Sequence, residues 1–198
     1  MARVTDPQKI ENVKRAAMEI IVEYGYRGAS IAAIAKKADV SVGYLYCYYS
    51  SKEELLDDLM NTNFDEFKNE IVGSLVKSNT IYEFVCNLVH TVFKLAKEDP
   101  VYVQMMATLA LDTDVEKIMC EKDRTFKNQT IKRILELGRR TGELCEHISE
   151  DDIILILMTI PFRYVLLKLN EDHHERFFQA EDAARIAKIC FNALRWRE

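Results

Sequence analysis

The feature that most constrains this chain is residues 30–55, where two short helical patterns flank a tight turn. Ile31, Ile34, Ala35 and Ala38 recur at helical spacing and predict the first short helix. The turn at residues 38–41 has the length of a helix-turn-helix connection, and Ser41 is a favourable N-cap for the second helix. Helices this short are not stable alone, so the segment must pack against further helices.

The predicted second helix presents small and phenolic side chains rather than charges. A glycine inside a helix costs roughly 1 kcal/mol relative to alanine. Close approach of the backbone to DNA is the functional explanation for Gly43. Base reading is assigned to Ser41, Val42, Gly43 and Tyr44. Because no Arg, Asn or Gln lies there for a bidentate base contact, specificity is predicted to rest on thymine methyl groups, an N-terminal arm at Arg3 and DNA shape.

Phosphate contacts are predicted for Ser30, Tyr46, Tyr48 and Lys52, whereas Tyr49 is predicted to pack inward. Lys52 falls in the first turn of the next helix, where the peptide dipole attracts anions. Residues 51–54 form a capping-box pattern at that helix start. Cys47 lies nearby, but no sequence neighbour favours its thiolate, and a thiol switch is therefore disfavoured.

The N-terminal third resembles the DNA-binding domain of the TetR family of bacterial one-component regulators. The similarity is carried by residues 34–35, 38–41, 43, 45–46, 48–49 and 51–55. Val42 stands where the family often has a basic residue and Tyr44 where it often has a small one, which alters what these positions read in DNA. The resemblance implies a three-helix helix-turn-helix domain (1–50), a larger helical effector-binding and dimerisation domain (51–198), and a transcriptional regulator that binds a palindromic operator as a homodimer.

Composition and charge agree with this reading. The 198 residues include only six Gly and three Pro, and strand-like alternation is scarce, so we predict an all-α fold. The net charge is −5, yet residues 1–52 carry eight basic and five acidic residues and are net +3. The remainder is net −8. A basic head on an acidic body directs DNA phosphates to the N-terminal region.

The helices are predicted in order along the chain. The first begins at Pro7, ends at Gly25 and is expected to bury Tyr24 among other apolar residues. A long helix follows from residue 51, and another stops before residues 99–100. Later helices are predicted around residues 102–109, 114–140, 150–169 and 181–196.

The last two predicted helices are assigned to a dimer interface. Residues 150–169 are apolar almost all round and must be covered on several sides. Residues 181–196 place Ala183, Ala187 and Cys190 on one face, where small side chains let a partner helix approach. The alternative is that both helices are only core. Dimerisation is favoured because one small helix-turn-helix needs a second half-site for useful affinity.

An effector pocket is predicted in the larger domain, where aromatic and thioether side chains recur. The candidates are Phe64, Phe67, Phe84, His90, Tyr102, Met105, Met106, Phe126, Phe162 and Arg163. Each aromatic residue is also compatible with ordinary core packing. Arg163 follows Pro161 in an apolar helix, and its guanidinium either meets an anionic effector or forms a buried ion pair.

Other classes of protein are disfavoured. Five widely spaced cysteines predict reduced thiols in a cytoplasmic protein, the N-terminus has no signal-peptide pattern, and the most apolar run (153–162) is far shorter than the ~20 residues that span a bilayer. The sequence His173-His174-Glu175 is interpreted as a solvated loop rather than a metal site. With no catalytic or phosphate-loop motif, no enzyme activity, metal or cofactor is predicted.

The leading functional hypothesis is a repressor that binds double-stranded operator DNA and responds to a hydrophobic or amphipathic small molecule. The alternatives are a helical interaction protein with a structural helix-turn-helix, and a DNA-binding regulator without an effector. An acidic surface over the second short helix would favour the first alternative.

Overall fold

The computed structural model describes residues 7–110, 112, 121–171 and 178–195, without the side chains of residues 60–64, 66 and 121–123. Within these ranges the regular structure is helical and contains no strand, which confirms the all-α prediction. Arg3, residues 113–120 and the His173-His174-Glu175 sequence lie outside the described residues.

The described residues form helices in the following order along the chain. Their bounds are α1 (Pro7–Gly28), α2 (Ile31–Lys37), α3 (Val42–Tyr46), α4 (Lys52–Lys77), α5 (Ile81–Glu98), α6 (Pro100–Ala110), α7 (Glu121–Thr141), α8 (Glu150–Ile154), a π-helical segment (Leu155–Thr159), α9 (Ile160–Leu169) and α10 (Ala180–Leu194). The predicted helix at 150–169 is therefore one run of three segments.

Helix α1 is interrupted at Gly25, which has φ +71° and lies in the left-handed region that favours glycine. Tyr24, just before the break, is 58% exposed, whereas Tyr26, just after it, turns into the core. The prediction that Tyr24 is buried was therefore wrong: the core at this point is closed by Tyr26, beyond the break at Gly25.

The turn between α2 and α3 is fixed by local contacts. Asp39 adopts φ 54°, a left-handed conformation that Asp tolerates better than most residues. The Val40 amide donates to the Ala35 carbonyl at 3.0 Å. Leu45 anchors α3 and is fully buried, together with Ile34 and Ala35 of α2. This geometry exposes the opposite face of α3.

Helix α5 occupies the centre of the larger helical region. Its apolar side chains recur at helical spacing and are buried along the whole helix: Ile81, Phe84, Val85, Leu88, Val89, Val92, Phe93 and Ala96. Helices α4, α6, α7, α9 and α10 all pack against it. Burial of a large aliphatic or aromatic side chain contributes about 1.5–3 kcal/mol, so this stripe is a principal source of stability.

Helix α10 uses its small-residue face within the protomer. Ala183, Ala187 and Cys190 are buried, and the helix packs mainly against α5. Burial raises the pKa of the Cys190 thiol to about 12, and Sγ lies 3.7 Å from the carbonyl oxygen of Ile156 in the π-segment. The prediction that this face meets a second subunit was wrong, because the small side chains admit α5 instead.

The N-terminal helices are joined to the larger region by packing and by ion pairs. Helix α6 packs along α1. Arg15 of α1 donates twice to Asp99, with both nitrogen–oxygen distances 2.8 Å, and the Asp99 carboxylate also accepts from the Tyr102 amide at the start of α6. Arg15 also pairs with Glu19, which in turn pairs with Lys37 of α2. These contacts hold the head against the corner between α5 and α6.

Candidate functional site

Two serines position the helices of the helix-turn-helix. The Ser30 hydroxyl oxygen accepts from the Ala33 amide at 3.1 Å, and that of Ser41 accepts from the Tyr44 amide at 3.0 Å. Both residues are exposed. Capping uses the oxygen as an acceptor, and the hydroxyl proton can still donate to a phosphate or base. The local fold therefore holds both hydroxyls at the surface.

The outer face of α3 is formed by side chains that the rest of the chain does not cover. Ser41, Val42, Gly43 and Tyr46 are exposed, with Val42 at 40% and Tyr46 at 57%. A Cβ built on Gly43 would meet only the Ser41 hydroxyl oxygen, at 4.0 Å. Packing within the protein therefore does not explain a glycine at this position.

Tyr44 and Tyr48 are half-buried and form a tilted ring pair whose centroids lie 5.0 Å apart. The Lys9 ammonium of α1 lies 6.0 Å from the Tyr44 ring centroid, and the Tyr44 hydroxyl is buried. A base contact through that hydroxyl would require the side chain to rotate. The exposed apolar surface of Val42 is the more accessible partner for a thymine methyl group.

Tyr49 packs inward, as predicted. Its hydroxyl donates to the Asp58 carboxylate at 2.7 Å, and Asp58 also pairs with Lys14 of α1 at 3.0 Å. Burial raises the pKa of Tyr49, and the hydrogen bond to Asp58 adds to the effect. This cluster locks the end of α3 against α1 and α4.

Lys52 lies at the start of α4, where Ser51 caps the helix by accepting from the Glu54 amide. The Lys52 ammonium donates to the Tyr26 carbonyl at 3.0 Å and lies 4.0 Å from the Tyr26 ring centroid. Burial and then the Glu53 carboxylate raise the pKa of Tyr26 to about 12. Sequence reasoning did not identify Tyr26, and the left-handed glycine before it was the available signal.

The predicted effector residues separate into two groups. Six are buried between the helices of the larger region: Phe67, Phe84, Tyr102, Met105, Met106 and Phe162. Phe67 of α4 and Phe162 of α9 meet edge to face, with ring centroids 6.2 Å apart. Phe126 of α7 is half-buried, and the Phe64 side chain lies outside the described residues.

His90 and Arg163 do not join the buried group. His90 is exposed, its Nδ1 lies 2.8 Å from the Cys86 carbonyl oxygen, and it lines an outer cleft of about 610 Å³ between α4 and α5. Arg163 lies on the exposed face of α9. The alternative of a buried ion pair for Arg163 was therefore wrong, since the helix turns this side chain away from the core.

Other sites considered from the sequence gain no geometric support in the described ranges. Cys47 is exposed, with Sγ 3.2 Å from the Gly43 carbonyl oxygen. Among the residues that the structure covers, no three His, Cys, Asp or Glu side chains are grouped to hold a metal ion. In the same ranges, no helix has the length and apolar character needed to cross a bilayer.

Comparison with known proteins shows which protein family the chain resembles. Residues 15–59 match the family model described as bacterial regulatory proteins of the tetR family. A fatty acid metabolism regulator protein of Bacillus subtilis is 30% identical over 140 residues, covering 70% of this chain and 67% of the relative. The regulator YvdT of the same organism is 30% identical over 110 residues, and the chain spans 57% of its length.

Solved structures share the fold over most of the chain. FadR of Bacillus subtilis, solved in complex with stearoyl-CoA, has a TM-score of 0.68 and 19% identity, with 92% of this chain and 98% of that chain covered. A TetR-family regulator from a Shewanella species has a TM-score of 0.66 and 25% identity, with 96% and 99% covered.

YvdT is named as an HTH-type transcriptional regulator and the other relative as a regulator protein, and the chain is not an enzyme. Its matched residues 15–59 include the capped helix-turn-helix described above. The chain belongs to the TetR family of DNA-binding transcriptional regulators.

Proposed function

We propose that this regulator is a repressor that binds a palindromic operator as a homodimer, with α3 in the major groove. The observation that carries the proposal is the exposed face of α3 around Gly43. A helical glycine costs roughly 1 kcal/mol relative to alanine, and no side chain of this protein occupies the space a Cβ would take. Close approach of the α3 backbone to DNA accounts for it.

The DNA contacts divide between two sets of residues. Ser41, Val42 and Gly43 face the bases, and Tyr44 joins them if its ring rotates out of the contact with Tyr48. Ser30, Tyr46, Tyr48 and Lys52 contact phosphates. The Lys52 ammonium has three donors, of which the Tyr26 carbonyl takes one, and a phosphate at the α4 N-terminus offers it a charged partner. We place the boundary between this head and the body at residues 50–51.

Dimerisation is supported by apolar side chains that one protomer leaves uncovered. Leu155, Leu167 and Ile189 are exposed, on the π-segment, α9 and α10 respectively. Further half-buried apolar residues lie along the run from the end of α8 through the π-segment to α9: Ile154, Ile156, Met158, Ile160, Leu166 and Leu169. A second copy covering this surface removes apolar area from water and places two heads at successive half-sites.

A fatty acyl compound is the effector class that we would test first. One relative is named as a fatty acid metabolism regulator, and a protein of the same fold was solved with stearoyl-CoA. The buried aromatic and thioether side chains between α4, α5, α6 and α9 supply the apolar environment that such a chain requires. Helix α4 connects this region to the head. Helix α6 makes a second connection, because it packs along α1 and because Arg15 of α1 pairs with Asp99, which directly precedes α6.

The testing experiment is the pair of variants Gly43→Ala and Gly73→Ala, assayed on an operator selected by the wild-type protein from random DNA. Both glycines are helical and neither would bring a Cβ into a close contact. We expect Gly43→Ala to weaken operator binding at least tenfold while thermal stability is unchanged or higher. Gly73→Ala, on the body, should leave operator affinity unchanged. Equal operator affinity for Gly43→Ala and the wild type would contradict the proposed docking of α3.

A regulator without an effector is distinguished by operator titration with and without palmitoyl-CoA. Release of operator DNA by the compound supports the proposed ligand response. A shift in melting temperature shows that the protein is saturated with the compound. Operator affinity that is unchanged under those conditions would contradict the proposed ligand response.

A further inference from the structure

Tyr26 lies against the ammonium group of Lys52, although the two residues are 26 positions apart in the chain. The ammonium donates to the Tyr26 carbonyl at 3.0 Å and lies 4.0 Å from the centroid of the Tyr26 ring. An ammonium over the face of an aromatic ring, within about 6 Å of its centroid, is attracted to the π electrons. One residue therefore holds the Lys52 head group through both its backbone and its side chain.

Tyr26 is itself fixed in place. It is only 6% exposed, and it directly follows Gly25, whose φ of +71° breaks helix α1. Its hydroxyl donates to the Glu53 carboxylate at 3.2 Å. Burial, and then that carboxylate, raise the pKa of Tyr26 to about 12, so the hydroxyl keeps its proton at neutral pH. The ring is therefore held at both ends, by the backbone break and by the hydroxyl.

Two of the first backbone amides of α4 are already engaged within the protein. The Ser51 hydroxyl oxygen accepts from the Glu54 amide at 3.1 Å. The Glu53 carboxylate accepts from its own amide, from Ser51 and from Tyr26, and these hydrogen bonds lower its pKa. A helix N-terminus ordinarily binds an anion through free amides of this kind. Because these two are taken, the affinity of this helix start for phosphate depends on the Lys52 ammonium.

We propose that Tyr26 positions Lys52 for its contact with a DNA phosphate. This inference rests on the proposed DNA contact of Lys52 and names the residue that prepares it. The Tyr26 carbonyl takes one of the three ammonium protons, and the others remain to donate to a phosphate while the ring stays in contact. A lysine side chain that is held before DNA arrives loses less conformational entropy on binding than a free one. Tyr26 is a positioning residue that acts on DNA through Lys52.

The test is a double-mutant cycle between Tyr26 and Lys52, with affinities measured by fluorescence anisotropy on the selected operator and on random DNA. Tyr26→Leu removes the ring but keeps the carbonyl, and it should weaken binding to both DNAs by the same factor, about three- to tenfold. In the Lys52→Ala background the same substitution should change affinity by less than about twofold, because the supported ammonium is gone. Tyr26→Phe keeps the ring and should bind within about twofold of the wild type.

A second buried tyrosine of the head provides the matched control. Tyr49 is 5% exposed, and its hydroxyl is engaged with Asp58. Tyr49→Leu should lower thermal stability, and any effect on DNA affinity should be the same in the wild-type and Lys52→Ala backgrounds. If Tyr26→Leu likewise has the same effect in both backgrounds, Tyr26 only contributes to the core, and the proposal is overturned.

A measurement on the wild-type protein covers the case in which Tyr26→Leu does not fold. Protons above the face of an aromatic ring resonate upfield because of the ring current. In protein labelled with ¹³C-lysine and free of DNA, the ε-methylene signal of Lys52 should therefore lie upfield of that of an exposed lysine such as Lys97. The signal is assigned by its absence from the Lys52→Ala spectrum. A Lys52 signal at the position of the exposed lysine would overturn the proposal.

The outcomes separate this inference from the proposed function. If Lys52→Ala leaves DNA affinity unchanged, the phosphate contact of Lys52 and the positioning role of Tyr26 are both wrong. If Lys52→Ala weakens binding while Tyr26→Leu leaves it unchanged or strengthens it, only the positioning role is wrong. Neither result affects the docking of α3, which the Gly43→Ala variant tests separately.

Discussion

Helices α3 and α10 were both predicted from sequence to present a contact surface, and the structure treats them differently. In α3 the residues assigned to the surface, Ser41, Val42 and Gly43, are exposed, because one buried side chain, Leu45, anchors a short capped helix. In α10 the small-residue face at Ala183 and Ala187 is buried against α5. The exposed face of a short capped helix is set locally, whereas the free face of a long amphipathic helix depends on which distant helix covers it.

The strongest test of this comparison is a charge placed on each side of α10. Ala187→Asp buries a carboxylate against α5 and should cost at least about 3 kcal/mol or prevent folding. Ile189→Asp, at a 45% exposed position on the opposite side, should leave the fold intact and convert the proposed dimer to a monomer. Thermal unfolding and light scattering measure the two effects. A folded, monomeric Ala187→Asp protein would restore the partner-facing assignment of this face.

The corresponding test on α3 compares its buried and exposed apolar residues. Leu45→Ala should destabilise the protein by about 2–5 kcal/mol, because it removes the fully buried anchor of the helix. Val42→Ala should change stability by less than about 0.5 kcal/mol while altering sequence preference on DNA. Chemical denaturation and binding to variant operators are the measurements. Similar stability losses for both variants would show that α3 is not held by Leu45 alone.

A smaller effect is expected from the cap of α3. Ser41→Ala removes the acceptor for the Tyr44 amide and should cost about 1 kcal/mol. Ser41→Asp keeps an acceptor at that position and should restore the stability, while its negative charge opposes DNA binding. Denaturation curves and operator titration of the two variants separate the capping role of Ser41 from its DNA contact. Unchanged stability in Ser41→Ala would mean that the turn, rather than the cap, fixes α3.

The smallest effect concerns acid sensitivity at two helix starts. Hydrogen bonds from Ser50 lower the pKa of Glu54 at the start of α4, and those from Ser149 lower the pKa of Asp152 at the start of α8. A lowered folded-state pKa means that the stabilisation is present above the unfolded values of 4.5 and 3.8 and is lost as pH falls through the folded values. Glu54→Gln and Asp152→Asn should each reduce the loss of stability on acidification, as followed by unfolding at pH 7 and below 4. If the stability of both variants depends on acidification as in the wild type, these two carboxylates do not contribute to the acid sensitivity.

The partners of the charged residues in and next to the head could not be predicted from the sequence. Arg15 and Lys37 raised the charge of the head in the sequence count, yet the structure pairs them with Asp99 and Glu19. Lys52 was assigned to DNA from its position in the first helical turn, and its contact with Tyr26 depends on the left-handed Gly25. Pairing across 84 residues, as between Arg15 and Asp99, has no signature in local sequence.

In the larger helical region, too, the sequence indicated the burial of some residues and not of others. The buried stripe of α5 follows directly from helical spacing, since every apolar position at that spacing is covered when a helix is surrounded. His90 was assigned to the pocket by residue type and Arg163 by its position after Pro161 in an apolar helix, and both are exposed. The burial of Lys68 was not identified, although its place on the apolar stripe of α4 was a usable signal, because a charged residue is ordinarily read as solvent-facing.

The sequence by itself determined the features that depend on neighbours within one or two helical turns. These are the two serine caps, the turn through Asp39, the interruption at Gly25 and the surface presented by α3. Only the tertiary structure decided that Tyr26 is buried, that Arg15 reaches Asp99 and that α10 turns its small side chains to α5. Local hydrogen bonds and backbone preferences act over a few residues, whereas burial and ion pairing depend on which distant helices meet.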